Sequence, residues 1–238
     1  MNIQKDQEFN STGETRIIES LIADKSIVFD VGSNLGNWSK TVLEKHEQVQ
    51  IHLFEPVPDN YKELNNNLAE WLEIENVHSN QVAVANHENT QTFYYYEDNP
   101  AWSTFYRRFD VEKQYSLKPP IELSVVTTTI DKYCQQLQIN RINFLKIDTE
   151  GGELNVLYGA KESLRKGKID YIHFEYGGTF QDSNITLKQV FHYLQTFRYF
   201  LLKIEAENLI YIPEFLLEYE NFEYSNYLAV NERFKSTI

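Results

Sequence analysis

An aspartate stands directly before a glycine-containing turn in the stretch IVFDVGSNLGNWSK, residues 27–40. The pattern Asp30-x-Gly32-x-x-x-Gly36 lacks one glycine of the G-x-G-x-x-G turn that holds a pyrophosphate at a helix N-terminus. Asp30 would repel a phosphate, whereas the sulfonium and α-ammonium groups of S-adenosylmethionine are cations that a carboxylate attracts. Taken alone, Asp30 could equally be a helix cap or a turn aspartate. Between a strand and a helix, the stretch predicts a site for S-adenosylmethionine.

A second acidic residue, Glu55, closes the next apolar run, VQIHLFEP. At the tip of a strand, a glutamate can accept hydrogen bonds from both hydroxyls of a ribose. That role serves NAD and S-adenosylmethionine alike, so Glu55 alone does not choose between them. Together with Asp30, Gly32 and Gly36, it predicts a nucleoside site that spans the ends of two strands.

Three further carboxylates, Asp148, Glu150 and Glu175, lie at or just after the ends of the runs INFLKID and IDYIHFEYGG. Methyl transfer from S-adenosylmethionine is an in-line displacement that depends on positioning, and a general base helps when the acceptor must lose a proton. Like charge and burial raise the pKa of a carboxyl in such a cluster, which suits a base. We expect Asp148 or Glu150 to act as the base or to orient the hydroxyl, with Glu175 across the pocket.

Other roles for these acidic residues stay open. Glu150 and Glu153 could favour the first turn of their helix through its dipole, and this is the preferred interpretation of Glu153. Asp148 and Glu175 could also hold Mg²⁺ through hard oxygen ligands. Two carboxylates make this the weaker alternative, and no metal site is predicted. Lys146, inside the strand, is expected to be structural or orienting.

The histidines and the cysteine do not add chemistry. The histidines show no spacing typical of a metal site. His52 and His173 lie in the middle of apolar runs, where a hydrogen-bonded core histidine is the better interpretation. The single cysteine, Cys134, lies in a helical pattern without a nearby histidine and is expected to be a buried structural thiol.

An aromatic-rich stretch, FYYYEDNPAWSTFYRRF, interrupts the alternation of strands and helices. Residues 97–120 form a loop long enough to suggest a substrate lid. Flat rings cover the apolar faces of sugars, while hydroxyl and guanidinium groups bind their rims. The predicted acceptor-binding residues are Trp102, Ser103, Thr104, Tyr106 and Arg107. The alternatives are a loop packed on its own domain or a dimer contact.

The order of apolar runs and helical patterns predicts an α/β fold. A leading helix at 13–26 follows a loose stretch at 1–12, and three apolar runs then alternate with helical patterns. That order calls for a doubly wound, mostly parallel sheet with ligands at the carboxyl ends of its strands. TQTFYYYE and IELSVVTTT are predicted as extra strands that form a β insertion between strands 3 and 4. With no linker or repeat, one domain over 1–238 is expected.

The bulk composition limits the partners and the compartment. The chain of 238 residues has a formal net charge of -13, which repels polyanions such as DNA and RNA. No apolar run reaches about 18 residues and no signal core is visible, so neither membrane insertion nor export is expected. Together with the single cysteine, this favours a cytoplasmic protein with a neutral or cationic ligand. A homodimer stays open.

Several stretches together resemble the FkbM family of S-adenosylmethionine-dependent methyltransferases. They occur in order over about residues 27–230, and KIDTEGGE is specific to this family rather than to methyltransferases at large. The stretches are VFDVGSNLG (28–36), FEPVPDNYKELNNN (54–67), QVAVAN (81–86), VTTTIDKY (126–133) and LKIDTEGGELNVLYGA (145–160), with weaker agreement in HFEYGG and NYLAV. The resemblance implies a class I methyltransferase (Rossmann-like) fold with a seven-stranded sheet whose last strand is antiparallel.

The resemblance also implies how the site is used. Matched by position, the residues that would line the methionine part of the cofactor are Asp30, Gly32, Ser33, Asn34 and Gly36. Glu55 would bind the ribose, and Gln81 would border the adenine. The implied reaction is O-methylation, in family members often of sugar hydroxyls in glycans or of natural-product scaffolds.

We therefore predict an S-adenosylmethionine-dependent O-methyltransferase that acts on a sugar hydroxyl of a glycan or glycoconjugate. The alternatives are a methyltransferase for a polyketide or other secondary metabolite, and a non-catalytic nucleoside-binding module. An NAD-dependent oxidoreductase is disfavoured by Asp30 and by the missing glycine.

Overall fold

The computed structural model describes residues 13–235, so the predicted loose stretch at 1–12 lies outside the described residues. The strands are β1 (Ile27–Val31), β2 (Gln50–Phe54), β3 (Val77–Asn80), β4 (Ala83–Val84), β5 (Asn89–Tyr95), β6 (Ile121–Thr128), β7 (Ile142–Ile147), β8 (Ile169–Tyr176), β9 (Tyr199–Ile204), β10 (Leu209–Ile212) and β11 (Ser225–Asn231). The α-helices are α1 (Glu14–Leu21), α2 (Asn37–Lys45), α3 (Pro58–Asn67), α4 (Ala69–Leu72), α5 (Phe109–Gln114), α6 (Ile130–Gln136), α7 (Glu153–Gly159), α8 (Lys161–Arg165), α9 (Thr179–Asp182) and α10 (Leu187–Thr196). Short 3-10 turns lie at Pro100–Trp102, Leu217–Tyr219 and Glu232–Phe234.

An eight-stranded sheet organises the chain, in the order β10-β9-β11-β8-β7-β1-β2-β3. The five strands from β3 to β8 in this order pair in parallel, whereas β11 is antiparallel to both of its neighbours. This confirms the predicted mostly parallel sheet with an antiparallel last strand. The predicted count of seven strands is one short, because the chain turns back after β9 and adds β10 antiparallel at the edge.

A separate three-stranded sheet, in the order β4-β6-β5, lies in the chain between β3 and β7. β5 and β6 pair antiparallel from Asn89 opposite Thr127 to Tyr95 opposite Ile121. The predicted β insertion is therefore confirmed. The segment 97–120 that joins its long strands contains the turn Pro100–Trp102 and helix α5.

Helices cover both faces of the large sheet, because successive strand residues point to opposite sides. On one face, Phe29 and Leu145 pack in a core with residues of α6, α7, α8 and α10. On the other face, Val28 and Phe144 pack with residues of α1, α2 and α3. This is the doubly wound arrangement predicted from the alternation of strands and helices.

Helix α1 begins the described chain and lies within the span 13–26 predicted for a leading helix. Its buried side chains Ile17 and Ile18 join the core formed with Val28 and Phe144. Among residues 13–235, none of the helices has the length and apolar character that crossing a membrane requires.

His52 is fully buried on β2. Its Nδ1 lies 2.8 Å from the hydroxyl oxygen of Tyr133, and its ring stacks on that of His78 with centroids 4.5 Å apart. Burial, and then the charge of His78, lowers the pKa of His52 to about 3. His52 is therefore a neutral core histidine, as its position in the sequence indicates.

We predict that acid destabilises the fold partly through His52. The unfolded chain binds a proton near pH 6.5 and the folded chain only near pH 3, so this contribution is complete above pH 6.5 and is lost as the pH falls below it. His52→Asn does not titrate, so its free energy of unfolding should fall less steeply below pH 6.5, by up to about 1.4 kcal/mol per pH unit. Denaturant unfolding at several pH values measures the slope, with exposed His192→Asn as the control. Equal slopes for wild type and His52→Asn would contradict the prediction.

Candidate active site

A cavity of about 370 Å³ opens at the carboxyl ends of β1, β2, β7 and β8. Parallel α/β sheets bind ligands at this edge, and the volume is within the range of small-molecule sites. One part of the wall is formed by the turn after β1 and by Glu55. Another part is formed by Asp148, Glu150 and Glu175. The cavity thus joins four of the predicted nucleoside-binding residues and the three predicted catalytic residues in one space; the four are Gly32, Ser33, Asn34 and Glu55.

The turn after β1 approaches β7 so closely that glycine is required at its first bend. Gly32 has φ +84°, and a Cβ there would lie 1.8 Å from the carbonyl oxygen of Asp148. Ser33 Oγ donates to the carbonyl oxygen of Asp30 at 2.7 Å and accepts from the N–H of Phe54 at 3.0 Å. These contacts fix the turn between β2 and β7, where Gly32 and Ser33 line the cavity.

Asn34 and Glu55 form the wall beside this turn. The carboxylate of Glu55 accepts from the N–H of Asn34 and from the N–H of Val57, each at 2.9 Å. Burial raises the pKa of Glu55 to about 7, against the effect of these hydrogen bonds. Oδ1 of Asn34 is buried and has no hydrogen-bond partner within the described part of the chain. Because buried polar atoms are normally paired, this unpaired oxygen beside the cavity is a candidate contact for a ligand.

Asp30 does not line the cavity, contrary to its predicted contact with a cationic ligand. It is fully buried beneath the turn, where Ser39 Oγ donates to its Oδ2 at 2.6 Å. Its Oδ1 lies 3.5 Å from the ammonium nitrogen of Lys146. The negative charge of Asp30 is therefore compensated inside the protein, and it acts on the cavity through Lys146.

Gly36 and Gln81 also lie outside the cavity wall, although both were predicted to contact the cofactor. Gly36 has φ +81° and packs against Leu68, so its role is to let the chain enter α2. Gln81 follows β3 and is exposed, because the chain leaves the large sheet at this point. The cavity is lined instead by Ala83 and Val84 of β4.

Lys146 lies on β7 between two carboxylates. In the strand register it stands opposite Asp30 on β1 and His173 on β8. Its ammonium nitrogen lies 3.0 Å from Asp148 Oδ2 and 5.7 Å from the centroid of the Trp38 ring. Burial would lower the pKa of Lys146, but the charges of Asp148 and Asp30 outweigh it and raise that pKa above its usual value. Lys146 is therefore a charged group in the floor of the cavity.

The structure brings Asp148, Glu150 and Glu175 together at the ends of β7 and β8. One oxygen of each lies within 4.8 Å of the others. Burial, followed by the charges of neighbouring carboxylates, raises the pKa values of Glu150 and Glu175 above the usual range of a glutamate. The ionised form of Glu150 or Glu175 is therefore a stronger base than an ordinary glutamate, which suits a general base. The same oxygens are hard ligands, close enough to share one cation such as Mg²⁺.

The insertion contacts this cluster through Arg108, a residue that the sequence pattern did not assign to the site. Its Nη1 lies 3.6 Å from Glu150 Oε2, and its Nε lies 3.0 Å from Asp182 Oδ2 on α9. Thr104 Oγ1 donates to the carbonyl oxygen of Glu150 at 2.7 Å. Glu150 has φ +52°, a left-handed conformation that is uncommon for residues other than glycine. These two contacts hold Glu150 in that conformation.

Of the predicted acceptor-binding residues, Ser103 lines the cavity, together with Pro100 and Ala101. The other four are engaged within the protein: Trp102 packs on the ring of Tyr115, Thr104 donates to Glu150, Tyr106 accepts from Asn155 and Arg107 pairs with Glu112. These four side chains therefore follow the alternative expectation, in which the loop packs on its own domain.

The wall beyond Glu175 is formed by residues that had no predicted role in the site. Asn226 on β11 is the register partner of Glu175 and lines the cavity with Tyr224 and Glu14. The Nε2 of His173 lies 3.0 Å from Asn226 Oδ1, so His173 is hydrogen-bonded as expected and also borders the cavity. The only sequence signal that pointed to Asn226 was the stretch NYLAV, which contains it and agrees weakly with the family.

We predict that Lys146 contributes strongly to stability. Lys146→Met leaves Asp30 and Asp148 without their shared cation and should lower the free energy of unfolding by about 3–5 kcal/mol. Adding Asp30→Asn to Lys146→Met should recover part of the loss, because one uncompensated charge is removed. Denaturant unfolding measures both changes, with Lys203→Met on β9 as the control. A loss below about 1 kcal/mol, the range of exposed ion pairs, would contradict this role.

Residues 30–205 match the sequence model of the methyltransferase FkbM domain. "Methyltransferase 1" of Beauveria bassiana is 26% identical over 150 residues, which cover 58% of this chain and 60% of that protein. "2-O-methyltransferase NoeI" of Sinorhizobium fredii is 21% identical over 166 residues, 67% of each chain. The chain thus spans about 60% of the length of the Beauveria relative.

A solved structure shares the fold. The crystal structure of methyltransferase FkbM from Methylobacillus flagellatus KT superposes with a TM-score of 0.56 at 15% identity, covering 87% of this chain and 44% of that one. The matched residues 30–205 include the glycine turn, Glu55 and the three clustered carboxylates. The resemblance found in the sequence is confirmed: this chain is a methyltransferase-fold protein that belongs to the methyltransferase FkbM domain family.

Proposed function

We propose that the chain is an S-adenosylmethionine-dependent O-methyltransferase that methylates a sugar hydroxyl of a glycan or glycoconjugate. The observation that supports this most directly is the single cavity that contains both Glu55 and the Asp148, Glu150 and Glu175 cluster. A methyl donor bound at one part and a hydroxyl bound at the other would meet without further rearrangement.

The residues of the turn and of β2 fit a nucleoside with a cationic sulfonium. Glu55 offers its two carboxylate oxygens to a ribose. Each of these oxygens also accepts a hydrogen bond from a backbone N–H group of the protein. Asn34 presents an unpaired buried oxygen, a suitable acceptor for an ammonium group. The apolar part of the lining suits the adenine ring of the cofactor. It consists of Phe54, Ala83, Val84 and Phe93. When bound, S-adenosylmethionine would supply a methyl group activated by its positive sulfur.

The carboxylate cluster would orient the acceptor hydroxyl and remove its proton. Burial and like charge raise the pKa values of Glu150 and Glu175, so the ionised form of each is a stronger base than an ordinary glutamate. Asp148 is paired with Lys146 at 3.0 Å, which suits an orienting role better than that of the base. We therefore assign the base to Glu150 or Glu175.

A neutral sugar suits the charge around the cluster. Arg108 is engaged by Glu150 and Asp182, and Lys146 by Asp30 and Asp148, so neither cation is free for a phosphate. The acidic wall of Asp148, Glu150 and Glu175 would repel an anionic acceptor. Hydroxyl groups, in contrast, can donate to these carboxylates. The word "2-O-methyltransferase" in the name of the Sinorhizobium relative is consistent with a hydroxyl acceptor.

Cofactor binding is tested by titration calorimetry with S-adenosylhomocysteine. We predict binding by the wild type and a loss of at least about tenfold in Glu55→Ala, because hydrogen bonds to a charged group are removed. Exposed Glu63→Ala on α3 is the matched control and should bind as the wild type does. Equal affinity in Glu55→Ala, or preferential binding of NADH by the wild type, would contradict the nucleoside site.

Catalysis is tested by transfer of a labelled methyl group to a panel of methyl glycosides. Loss of a general base slows such reactions by about 10²–10⁴-fold, so Glu150→Gln or Glu175→Gln should show this loss with unchanged S-adenosylhomocysteine affinity. Exposed Glu162→Gln is the control. A parallel reaction with EDTA separates proton transfer by the carboxylates from a requirement for a shared cation. Wild-type rates in both single variants would show that neither Glu150 nor Glu175 is the general base.

A further inference from the structure

Tyr224 is an exposed aromatic residue in the wall of the cavity. It lies directly before β11 and is 58% exposed. The other aromatic rings in the lining are nearly inaccessible: Trp38, Phe54 and Phe93. Within the described chain, Tyr224 thus offers the cavity an accessible flat ring. An accessible ring in the wall of a cavity can pack on the apolar face of a ligand.

The hydroxyl end of Tyr224 is held while the ring stays accessible. Asn226 Nδ2 donates to Tyr224 Oη at 3.2 Å. Asn226 is itself buried, with its Oδ1 3.0 Å from His173 Nε2 and its Nδ2 3.4 Å from Glu14 Oε1. The phenol is therefore anchored through an amide that two other side chains, His173 and Glu14, fix. An anchored ring loses little conformational freedom when a ligand packs on it.

The strand register places this ring beside the carboxylate cluster. Asn226 pairs with Glu175 across the β8–β11 ladder, and Tyr224, just before β11, is hydrogen-bonded to Asn226. Burial, followed by the charges of Glu175 and Glu14, raises the pKa of Tyr224 far above its usual value. The hydroxyl end is thus inside the acidic part of the cavity while the ring remains open to solvent.

The segment 97–120 contributes no aromatic ring to the cavity lining. Trp102 packs on the ring of Tyr115 at a centroid distance of 5.6 Å, and the guanidinium carbon of Arg108 lies 5.6 Å from the Trp102 ring centroid. Trp102 is also absent from the cavity lining, to which the segment 97–120 contributes Pro100, Ala101 and Ser103.

We propose that Tyr224 is the platform of an acceptor subsite, on which the apolar face of a pyranose ring packs while one of its hydroxyls reaches Asp148, Glu150 and Glu175. This subsite lies on the β11 side of the cavity rather than on the insertion, and it rests on the proposed function. Stacking on an aromatic ring selects cyclic sugars with an apolar C–H face, and it does not require a charged group on the acceptor.

The experiment measures binding of methyl pyranosides to the protein saturated with S-adenosylhomocysteine, by saturation-transfer NMR titration. Tyr224→Ala should weaken glycoside binding by about five- to tenfold, while Tyr224→Phe, which keeps the ring, should stay within about twofold of the wild type. Tyr211→Ala removes an exposed tyrosine of β10 outside the cavity and is the matched control. S-adenosylhomocysteine affinity should be the same in all four proteins, which also shows that each is folded.

Turnover gives a second readout on any glycoside that the wild type methylates. Tyr224→Ala should raise KM by the same factor as the binding loss and leave kcat within about twofold, because a platform binds ground and transition states alike. Glycoside binding and KM unchanged in Tyr224→Ala would overturn the subsite alone and leave the methyltransferase proposal standing. A wild type that binds S-adenosylhomocysteine but neither binds nor methylates a glycoside would overturn the sugar acceptor and the subsite with it.

Discussion

The ammonium group of Lys146 stands between the carboxylates of Asp30 and Asp148 inside the sheet, 3.5 Å and 3.0 Å away. An uncompensated charge at either place would be costly, because burial removes its hydration. The pairing lets β1 and β7 carry charged residues side by side at the edge where the turn containing Gly32 crosses the backbone of Asp148. The position of the turn and the position of the acidic wall therefore depend on the same ion pairs.

The acidic residues at the strand ends differ in their hydrogen bonds and pKa values because their surroundings differ. Glu55 is held by backbone N–H groups and faces the turn, which suits recognition of hydroxyls. Burial raises the pKa values of Glu150 and Glu175, and the like charges around them add to the rise. Asp148 is compensated by Lys146. One acidic cavity can thus separate binding, proton transfer and orientation, although each role uses the same functional group.

The sequence predicted what depends on local pattern: the alternating elements, the β insertion and the convergence of Asp148 and Glu175 at neighbouring strand ends. It did not predict the burial of Asp30, because its compensation by Lys146 arises only when β1 pairs with β7. The packing of the insertion against Glu150 depends in the same way on tertiary contacts. The sequence also did not predict that Tyr224 lines the cavity. Tyr224 reaches it because β11 lies between β8 and β9, and no short-range pattern encodes that placement.

We propose that one cavity binds the methyl donor and the acceptor side by side. A crystal structure of the protein with S-adenosylhomocysteine would test this arrangement. We expect the ribose hydroxyls at Glu55, the amino acid part beside Asn34, and the sulfur facing the space between the turn and the cluster of Asp148, Glu150 and Glu175. A nucleoside bound away from Glu55, or a sulfur turned away from the three carboxylates, would contradict the claim.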